Sequence, residues 1–358
     1  MMMMRVLNPI PVETRRAASL KIGKNVAAFR RVVLGWYDRH RRDLPWRKTR
    51  DPYRIWLSEI MLQQTRVAAV LEHFRVFLER FPNVEVLAAA SEDAVLAAWS
   101  GLGYYRRARM LHRCARQIAR QHGGCFPRDS EALLALPGIG RYTAAAIASI
   151  AFSEPVAVVD GNVERILQRL IGNKSIGINL TTAQTWQHAQ ALLANSRPGD
   201  FNQGMMELGA TVCVPRAPHC PMCPVRRWCV TRGEVPRSEP PSRQKKKQIW
   251  CALEWRDGNG SGKGKVRLVQ RSRQAPLMPC MWELPQSSEP PRRLPESARW
   301  RTFRHSITIT DYTVHVLRNK LLPGAPAVTK GTWIAIDRIP RIPITGLTRK
   351  ILKASGII

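Results

Sequence analysis

The chain has 358 residues, with 57 Lys and Arg against 26 Asp and Glu, a formal net charge of +31. Its 44% hydrophobic content is enough to build a core, so the excess charge belongs to a folded surface rather than to a disordered basic tail. Such a field suits a polyanionic partner. No apolar run reaches the ~18 residues that a membrane span needs, and the length favours two domains over one.

The opening Met1-Met-Met-Met-Arg5 run and the Pro-broken stretch after it lack the apolar core of a secretory signal. Residues 1–25 are expected to form a flexible extension, with a transit peptide as the alternative. From Val26 to Cys213 the apolar spacing is helical, as in Phe29, Val32, Val33 and Trp36, or Met110, Leu111, Cys114 and Ile118. Ser91 with Asp93 and Ser130 read as helix starts, and Gly123-Gly124 as a helix end. These signals predict an all-α domain over 26–232. The segment 233–247 is polar, Pro-rich and basic, and reads as a linker. Beyond it the period becomes two, in Ile249-Trp-Cys-Ala-Leu-Glu-Trp255, Val266-Arg-Leu-Val269, Tyr312-Thr-Val-His-Val-Leu317 and Trp333-Ile-Ala-Ile336. With a closing helix near 345–354, the segment 248–358 is expected to be a small α+β domain.

Three features carry chemistry. Leu133-Leu-Ala-Leu-Pro-Gly-Ile-Gly-Arg-Tyr-Thr-Ala-Ala-Ala-Ile147 reads as two helices joined at Pro137-Gly-Ile-Gly140. Gly138 and Gly140 let the backbone turn and approach a ligand, and the amides opening the second helix form a cradle for a phosphate. Asp160 follows the apolar run Pro155-Val-Ala-Val-Val159 and precedes a helix, which it could simply cap. Lastly, Cys213, Cys220, Cys223 and Cys229 fall within 17 residues. Four thiolates suit zinc or an iron–sulfur cluster. A single Cys-x2-Cys knuckle in a Pro- and Arg-rich loop favours a [4Fe–4S] cluster over zinc, and two disulfides are the bland alternative.

Together, the hairpin, Asp160 and the four-cysteine loop resemble the helix-hairpin-helix DNA glycosylases of the endonuclease III type. Leu44-Pro-Trp-Arg47, Trp56-Leu-Ser-Glu-Ile-Met-Leu-Gln-Gln-Thr65, Gly101-Leu-Gly-Tyr-Tyr105 and Phe201-Asn-Gln-Gly-Met-Met-Glu-Leu-Gly-Ala210 are similar to motifs of the MutY family of adenine DNA glycosylases. The resemblance implies hydrolysis of the N-glycosidic bond of adenine opposite 8-oxoguanine or guanine in duplex DNA. Glu59, set among Leu57, Ile60, Met61 and Leu62, would be a general acid kept protonated by its apolar surroundings. The bland reading of Glu59 is a solvated helix glutamate. Asp160 would stabilise the sugar cation, with Asn162 orienting Asp160 or a water. Tyr142 stands where strand-cutting relatives carry a lysine nucleophile, and this disfavours Schiff-base chemistry. Tyr142 would hydrogen-bond Asp160 or a water, or pack as a core tyrosine. Gln63 and Tyr104 match residues that wedge into the duplex, and Trp46 and Arg47 match residues lining the adenine pocket.

The C-terminal segment resembles the Nudix-like module of that family through Met281-Trp-Glu-Leu-Pro285 and Phe303-Arg-His-Ser-Ile-Thr-Ile-Thr310. It departs from the pattern at Ile307-Thr308-Ile309, where the family's Phe-Ser-His element is expected, and it lacks an acidic metal-binding helix. A reader of the opposing base is therefore expected rather than a pyrophosphatase, with Thr308 and Ser306 as candidate contacts. The implied protein is a monomer that is not membrane-bound and is cytoplasmic, nucleoid-associated if bacterial. Its rivals are a thymine–guanine mismatch glycosylase and a catalytically silent iron–sulfur DNA-binding protein.

Overall fold

A computed structural model describes residues 25–172, 179–232, 245–256, 264–290, 299–307, 309–318 and 331–358. The architecture is mainly helical, followed by a small α+β segment, as the sequence pattern predicts. The chain divides into two compact units, each assembled from two stretches. One takes residues up to Gln63 and 125–239, and the other 64–124 and 240–358.

In the first unit, α1 (Val26–His40), α9 (Gly161–Leu170), α10 (Thr182–Leu192) and α11 (Pro198–Thr211) enclose a core that includes Phe29, Tyr37, Ile166, Leu167, Phe201 and Leu208. Trp228, from the four-cysteine loop, enters this core and meets Phe29 edge-on, with centroids 5.3 Å apart. The loop is thereby fastened by burial of an aromatic ring. Two further elements, α2 (Pro52–Leu62) and α8 (Arg141–Phe152), pack on each other, and α8 also packs on α11 and on α7 (Ser130–Leu134). Helix α8 is unusually rich in small residues, and its Thr143, Ala144, Ala145, Ala146, Ala148 and Ser149 are all buried. Small side chains allow this close helix approach. The cap of α7 is Asp129, which accepts from the Ala132 amide, so Ser130 is the first helical residue rather than the cap.

In the second unit, α3 (Val67–Arg80), α4 (Val84–Ala89), α5 (Glu92–Trp99) and α6 (Arg106–Gln121) bury Phe74, Phe77, Leu87, Leu96, Trp99, Leu111 and Ile118. Ser91 caps α5 through the Ala94 amide. The C-terminal part forms two sheets. One runs β5-β1-β7-β6, with β1 (Lys245–Leu253) parallel to β7 (Thr310–Arg318) and antiparallel to β5 (Gln286–Ser287), and with β6 (Arg299–Ile307) antiparallel to β7. The other joins β2 (Trp255–Arg256), β3 (Lys265–Gln270) and β4 (Trp282–Glu283), with β8 (Thr332–Ala335) on β3. Alternate residues Cys251, Leu253, Val314, Val316 and Phe303 face a core closed by α12 (Gly346–Ala354), whose Ile351 and Leu352 are fully buried. Strand β1 starts at Lys245, so three lysines read as linker from the sequence lie on an exposed strand end.

Candidate active site

Glu59 sits on α2 between Trp56, Ile60 and Met61, and only 7% of its surface is exposed. The apolar face that places it there also removes it from water. Burial pushes its carboxyl up to about 7 from the ordinary 4.5, and the nearby Asp160 charge pushes the same way, while a hydrogen bond from Tyr142 and the charge of Arg47 oppose the rise. The solvated-glutamate reading is therefore set aside. Tyr142, the second residue of α8, donates its hydroxyl to Glu59 Oε2 and lies 3.5 Å from Met206 Sδ on α11. The expected partner was Asp160 or a water; the structure gives the hydroxyl to Glu59. Burial and the two nearby carboxylates push the phenol well above its usual value, so Tyr142 stays a proton donor.

Asp160 is the N-cap of α9. Its Oδ1 accepts from the amides of Asn162 at 2.9 Å and Val163 at 2.7 Å, and its Oδ2 accepts from Asn162 Nδ2 at 2.8 Å. These three donors fix the carboxyl group as an acceptor at the start of α9. Asn162 Oδ1 in turn accepts from Arg165 Nη2 at 2.7 Å, and the same guanidinium donates to the carbonyls of Gly209 at 2.7 Å and Cys213 at 2.8 Å. Gly209 permits this closeness, since a Cβ there would lie 2.5 Å from Asn162 Cβ. One turn on, Arg169 donates to the carbonyls of Val214 and Pro215 and reaches Cys213 Sγ at 3.3 Å.

A second buried glutamate behaves in the opposite way. Glu207 on α11 has a fully buried side chain, yet its Oε1 accepts from Arg42 N and Nε, and its Oε2 accepts from Arg42 Nη2 and Arg47 Nη2. Burial alone would raise its pKa, but the hydrogen bonds and charges of the two arginines outweigh that and hold it at about 2. Arg47 also lies over the Tyr37 ring, at 5.7 Å from the centroid. Trp46, in the short turn Pro45–Arg47, is buried. Glu207, Arg42, Arg165 and Met206 were not singled out from the sequence. Glu207 and Met206 lie inside the Phe201–Ala210 motif, where a lone acid among Met205, Met206 and Leu208 was the available signal.

The remaining candidates fall in several places. Gly138 has φ +77°, and Gly140 caps α8 with open space where a Cβ would stand, leaving the first amides of that helix accessible to an anion. Gln63 is the half-buried C-cap of α2. Tyr104 belongs to the second unit and is 50% exposed. Ser306 on β6 donates its hydroxyl to Asp311 Oδ1 on β7. Thr308 lies outside the described residues.

The four cysteines line one cavity together with Arg169 and Arg226. None of the eight cysteines is in a disulfide. Burial pushes Cys223 up to about 11, and the neighbouring Cys213, Cys229 and Cys220 add to that rise. Crowded thiols of this kind ionise readily only when a cationic group binds them. Among the described residues no three His, Cys, Asp or Glu side chains gather as a single-ion site.

Helices α7 and α8, joined across Gly138 and Gly140, define a helix-hairpin-helix fold. Residues 57–190 match the family described as HhH-GPD superfamily base excision DNA repair protein. The adenine DNA glycosylase of Mycobacterium tuberculosis (strain ATCC 25618 / H37Rv) is 43% identical over 215 residues, covering 59% of this chain and 70% of that protein. The chain belongs to the adenine DNA glycosylase family. The enzyme of that name from Rattus norvegicus is 49% identical over 224 residues, covering 59% of this chain and 43% of the relative. The chain thus spans under half the length of its mammalian relatives. Among solved structures, a thermostable thymine-DNA glycosylase matches with TM-score 0.55 at 32% identity, covering 59% of this chain and 98% of that one. A non-covalent endonuclease III–DNA complex matches with TM-score 0.51 at 21% identity, covering 59% of this chain and 96% of that one, which shows the shared fold.

The raised value of Glu59 has a consequence for stability. The folded chain keeps a proton that the unfolded chain releases near 4.5, so this contribution is complete below 4.5 and is lost as pH rises through about 7. Its size is on the order of 3 kcal/mol. Urea unfolding at pH 5 and pH 8 should show the parent losing stability over this window relative to Glu59→Gln. Parallel pH dependence in the two proteins would contradict the assignment.

Proposed function

We propose that this chain is a monofunctional adenine DNA glycosylase acting on adenine opposite 8-oxoguanine or guanine. The observation that carries the reading is the pairing of a buried, tyrosine-bonded Glu59, raised to about 7, with Asp160 held as an acceptor by three N–H donors. A buried acid that keeps its proton and a second carboxyl group held by N–H donors can divide proton donation and charge stabilisation between them. Glu59 delivers its proton to the departing adenine as the N-glycosidic bond breaks. The bond's electrons leave with the base, and the Asp160 carboxylate lies against the resulting sugar cation until water adds to it and gives up a proton that restores the Glu59 acid. Asn162 and Arg165 hold Asp160 in place. Tyr142 keeps Glu59 Oε2 occupied as an acceptor, leaving Oε1 to carry the transferable proton. No lysine occurs between Lys48 and Lys174, so an amine nucleophile is not available from that stretch, and the product is an abasic site with an intact strand.

Gly138, Gly140 and the opening amides of α8 are assigned to a DNA phosphate. Trp46, Arg47 and the Glu207 ion-pair cluster are assigned to the adenine pocket, Gln63 and Tyr104 to wedging, and the C-terminal module with Ser306 and Thr308 to reading the opposing base. The four thiols are assigned to a [4Fe–4S] cluster. All four line one cavity, and a single Cys-x2-Cys knuckle suits a cluster better than a structural zinc site. When bound, the cluster would neutralise the crowded thiolates and tie the loop to α9 through Arg169; no step of base release passes through it.

A thymine–guanine mismatch activity is the second reading, favoured by the structural match to a thymine-DNA glycosylase. Base release from duplexes carrying adenine opposite 8-oxoguanine, adenine opposite guanine and thymine opposite guanine separates the two. Adenine alone should be released, with strand breaks appearing only after alkali. Glu59→Gln and Asp160→Asn should each lower the single-turnover rate by about 10²- to 10⁴-fold while still binding the duplex. Release of thymine, or borohydride trapping of an enzyme–DNA adduct, would overturn the proposal.

The cluster assignment has its own test. Protein purified without oxygen should carry about four irons per chain and absorb in the visible range, and Cys220→Ser should lower iron content and duplex affinity together. Stoichiometric zinc without iron would contradict it.

A further inference from the structure

Two motifs outside the Glu59 and Asp160 site, Gly101-Leu-Gly-Tyr-Tyr105 and Met281-Trp-Glu-Leu-Pro285, meet inside the second unit. The loop from Ser100 to Tyr105 is conformationally demanding. Gly101, Gly103 and Tyr104 all have positive φ, at +114°, +70° and +46°, and a tyrosine adopts that region only when its surroundings impose it. The inner side of the loop is pinned by the helices that flank it. Trp99 Nε1 donates to the Gly103 carbonyl at 3.1 Å, and Arg107 Nη2 donates to the Leu102 carbonyl at 3.1 Å. The Arg107 guanidinium also lies 5.5 Å from the centroid of the half-exposed Tyr104 ring.

Both ends of the loop are tied elsewhere, to one buried carbonyl of the C-terminal segment. Ser100 Oγ donates to the Ile344 carbonyl at 2.8 Å, and Tyr105 OH donates to the same oxygen at 3.2 Å. Arg349 Nε, on α12, donates to Ser100 Oγ at 2.9 Å. Ser100 and Tyr105 are each 4% exposed and Ile344 is wholly buried. Tyr105 OH also lies 3.4 Å from Ser100 Oγ, which accepts from Arg349, so the three side chains and the Ile344 carbonyl form one buried network. Ile344 is itself bridged to Trp282 of the second motif, and the Thr345 amide donates to the Trp282 carbonyl at 2.9 Å. A second tie lies on α6, where Arg109 Nη2 donates to the Pro279 carbonyl at 2.6 Å.

We propose that Ser100, Tyr105 and Arg349 are positioning residues that latch the Tyr104 loop to the C-terminal module, so that the wedge residue and the reader of the opposing base act as one rigid body. The inference rests on the reading above, in which Tyr104 enters the duplex and the C-terminal module senses the base opposite adenine. A buried hydrogen-bond network of this kind fixes one arrangement rather than several. Cutting the latch frees the strained loop to relax. Tyr104 then contributes less to binding, and the preference for adenine opposite 8-oxoguanine over adenine opposite guanine falls.

The test uses Tyr105→Phe, which removes one oxygen, and Arg349→Met, which keeps the stem and removes the donor. Dissociation constants are measured for duplexes with adenine opposite 8-oxoguanine and adenine opposite guanine, with Glu59→Gln in every protein to prevent turnover. Each latch variant should lower the ratio of the two constants by about three- to tenfold. In a Tyr104→Ala background the same substitutions should change it by less than about twofold, because coupled residues are not additive. Loss of stability alone would lower the active fraction without moving this ratio, and Arg349→Lys should restore part of it. A ratio unchanged by Tyr105→Phe, or an equal effect with and without Tyr104, would overturn the latch. If the parent chain, with Glu59 intact, releases no adenine from either duplex, the functional reading fails and the latch fails with it. If the parent is selective and the variants keep its ratio, the latch alone is wrong.

Discussion

The account depends on one constraint, the removal of the Glu59 carboxyl from water. A glutamate on a solvated helix is ionised at neutral pH and has no proton to give. Glu59 is instead enclosed by the apolar face of α2 and by α8, and its pKa moves up to about 7. Glu207 shows that burial is not sufficient by itself. Its side chain is buried as well, yet Arg42 and Arg47 hold it at about 2. The protein places two arginines against one acid and a tyrosine hydroxyl against the other, and this choice of partner decides which is a proton donor and which a fixed charge.

Helix α9 joins the site to the rest of its unit. Asp160 caps it, so one carboxylate serves both as the start of the helix and as the group assigned to the sugar cation. The plain capping reading and the functional reading are therefore not alternatives. Arg165 and Arg169 lie one turn apart on the same helix and bind the carbonyls of Cys213, Val214 and Pro215. The four-cysteine loop and the cap of α9 thus share one set of hydrogen bonds, and Trp228 fastens the far end of that loop to the core beside Phe29.

Much of this was legible in the chain. The 3.6-residue period marked the helices, and the change to period two marked the C-terminal strands. Glu59 and Asp160 were marked by the motifs they share with the glycosylase family; their local pattern alone also allowed a solvated helix glutamate and a plain helix cap. Partner choice was not legible. Tyr142 was read as a neighbour of Asp160, but only the packing of α8 on α2 gives its hydroxyl to Glu59. Glu207 and Arg165 escaped notice because their partners lie far away in sequence, at Arg42, Arg47, Gly209 and Cys213. The parallel pairing of β1 with β7 and the grouping of residues 64–124 with the C-terminal segment likewise depend on long-range contacts that periodicity does not encode.

The most direct test of the central claim is an infrared titration of the carboxyl itself. Difference spectra of the parent against Glu59→Gln, taken between pH 3 and pH 9, should show one protonated carboxyl C=O band that disappears with a midpoint near 7. If that band vanishes near the ordinary carboxylate value of 4.5, or is still present in Glu59→Gln, then Glu59 is not the poised acid of this site.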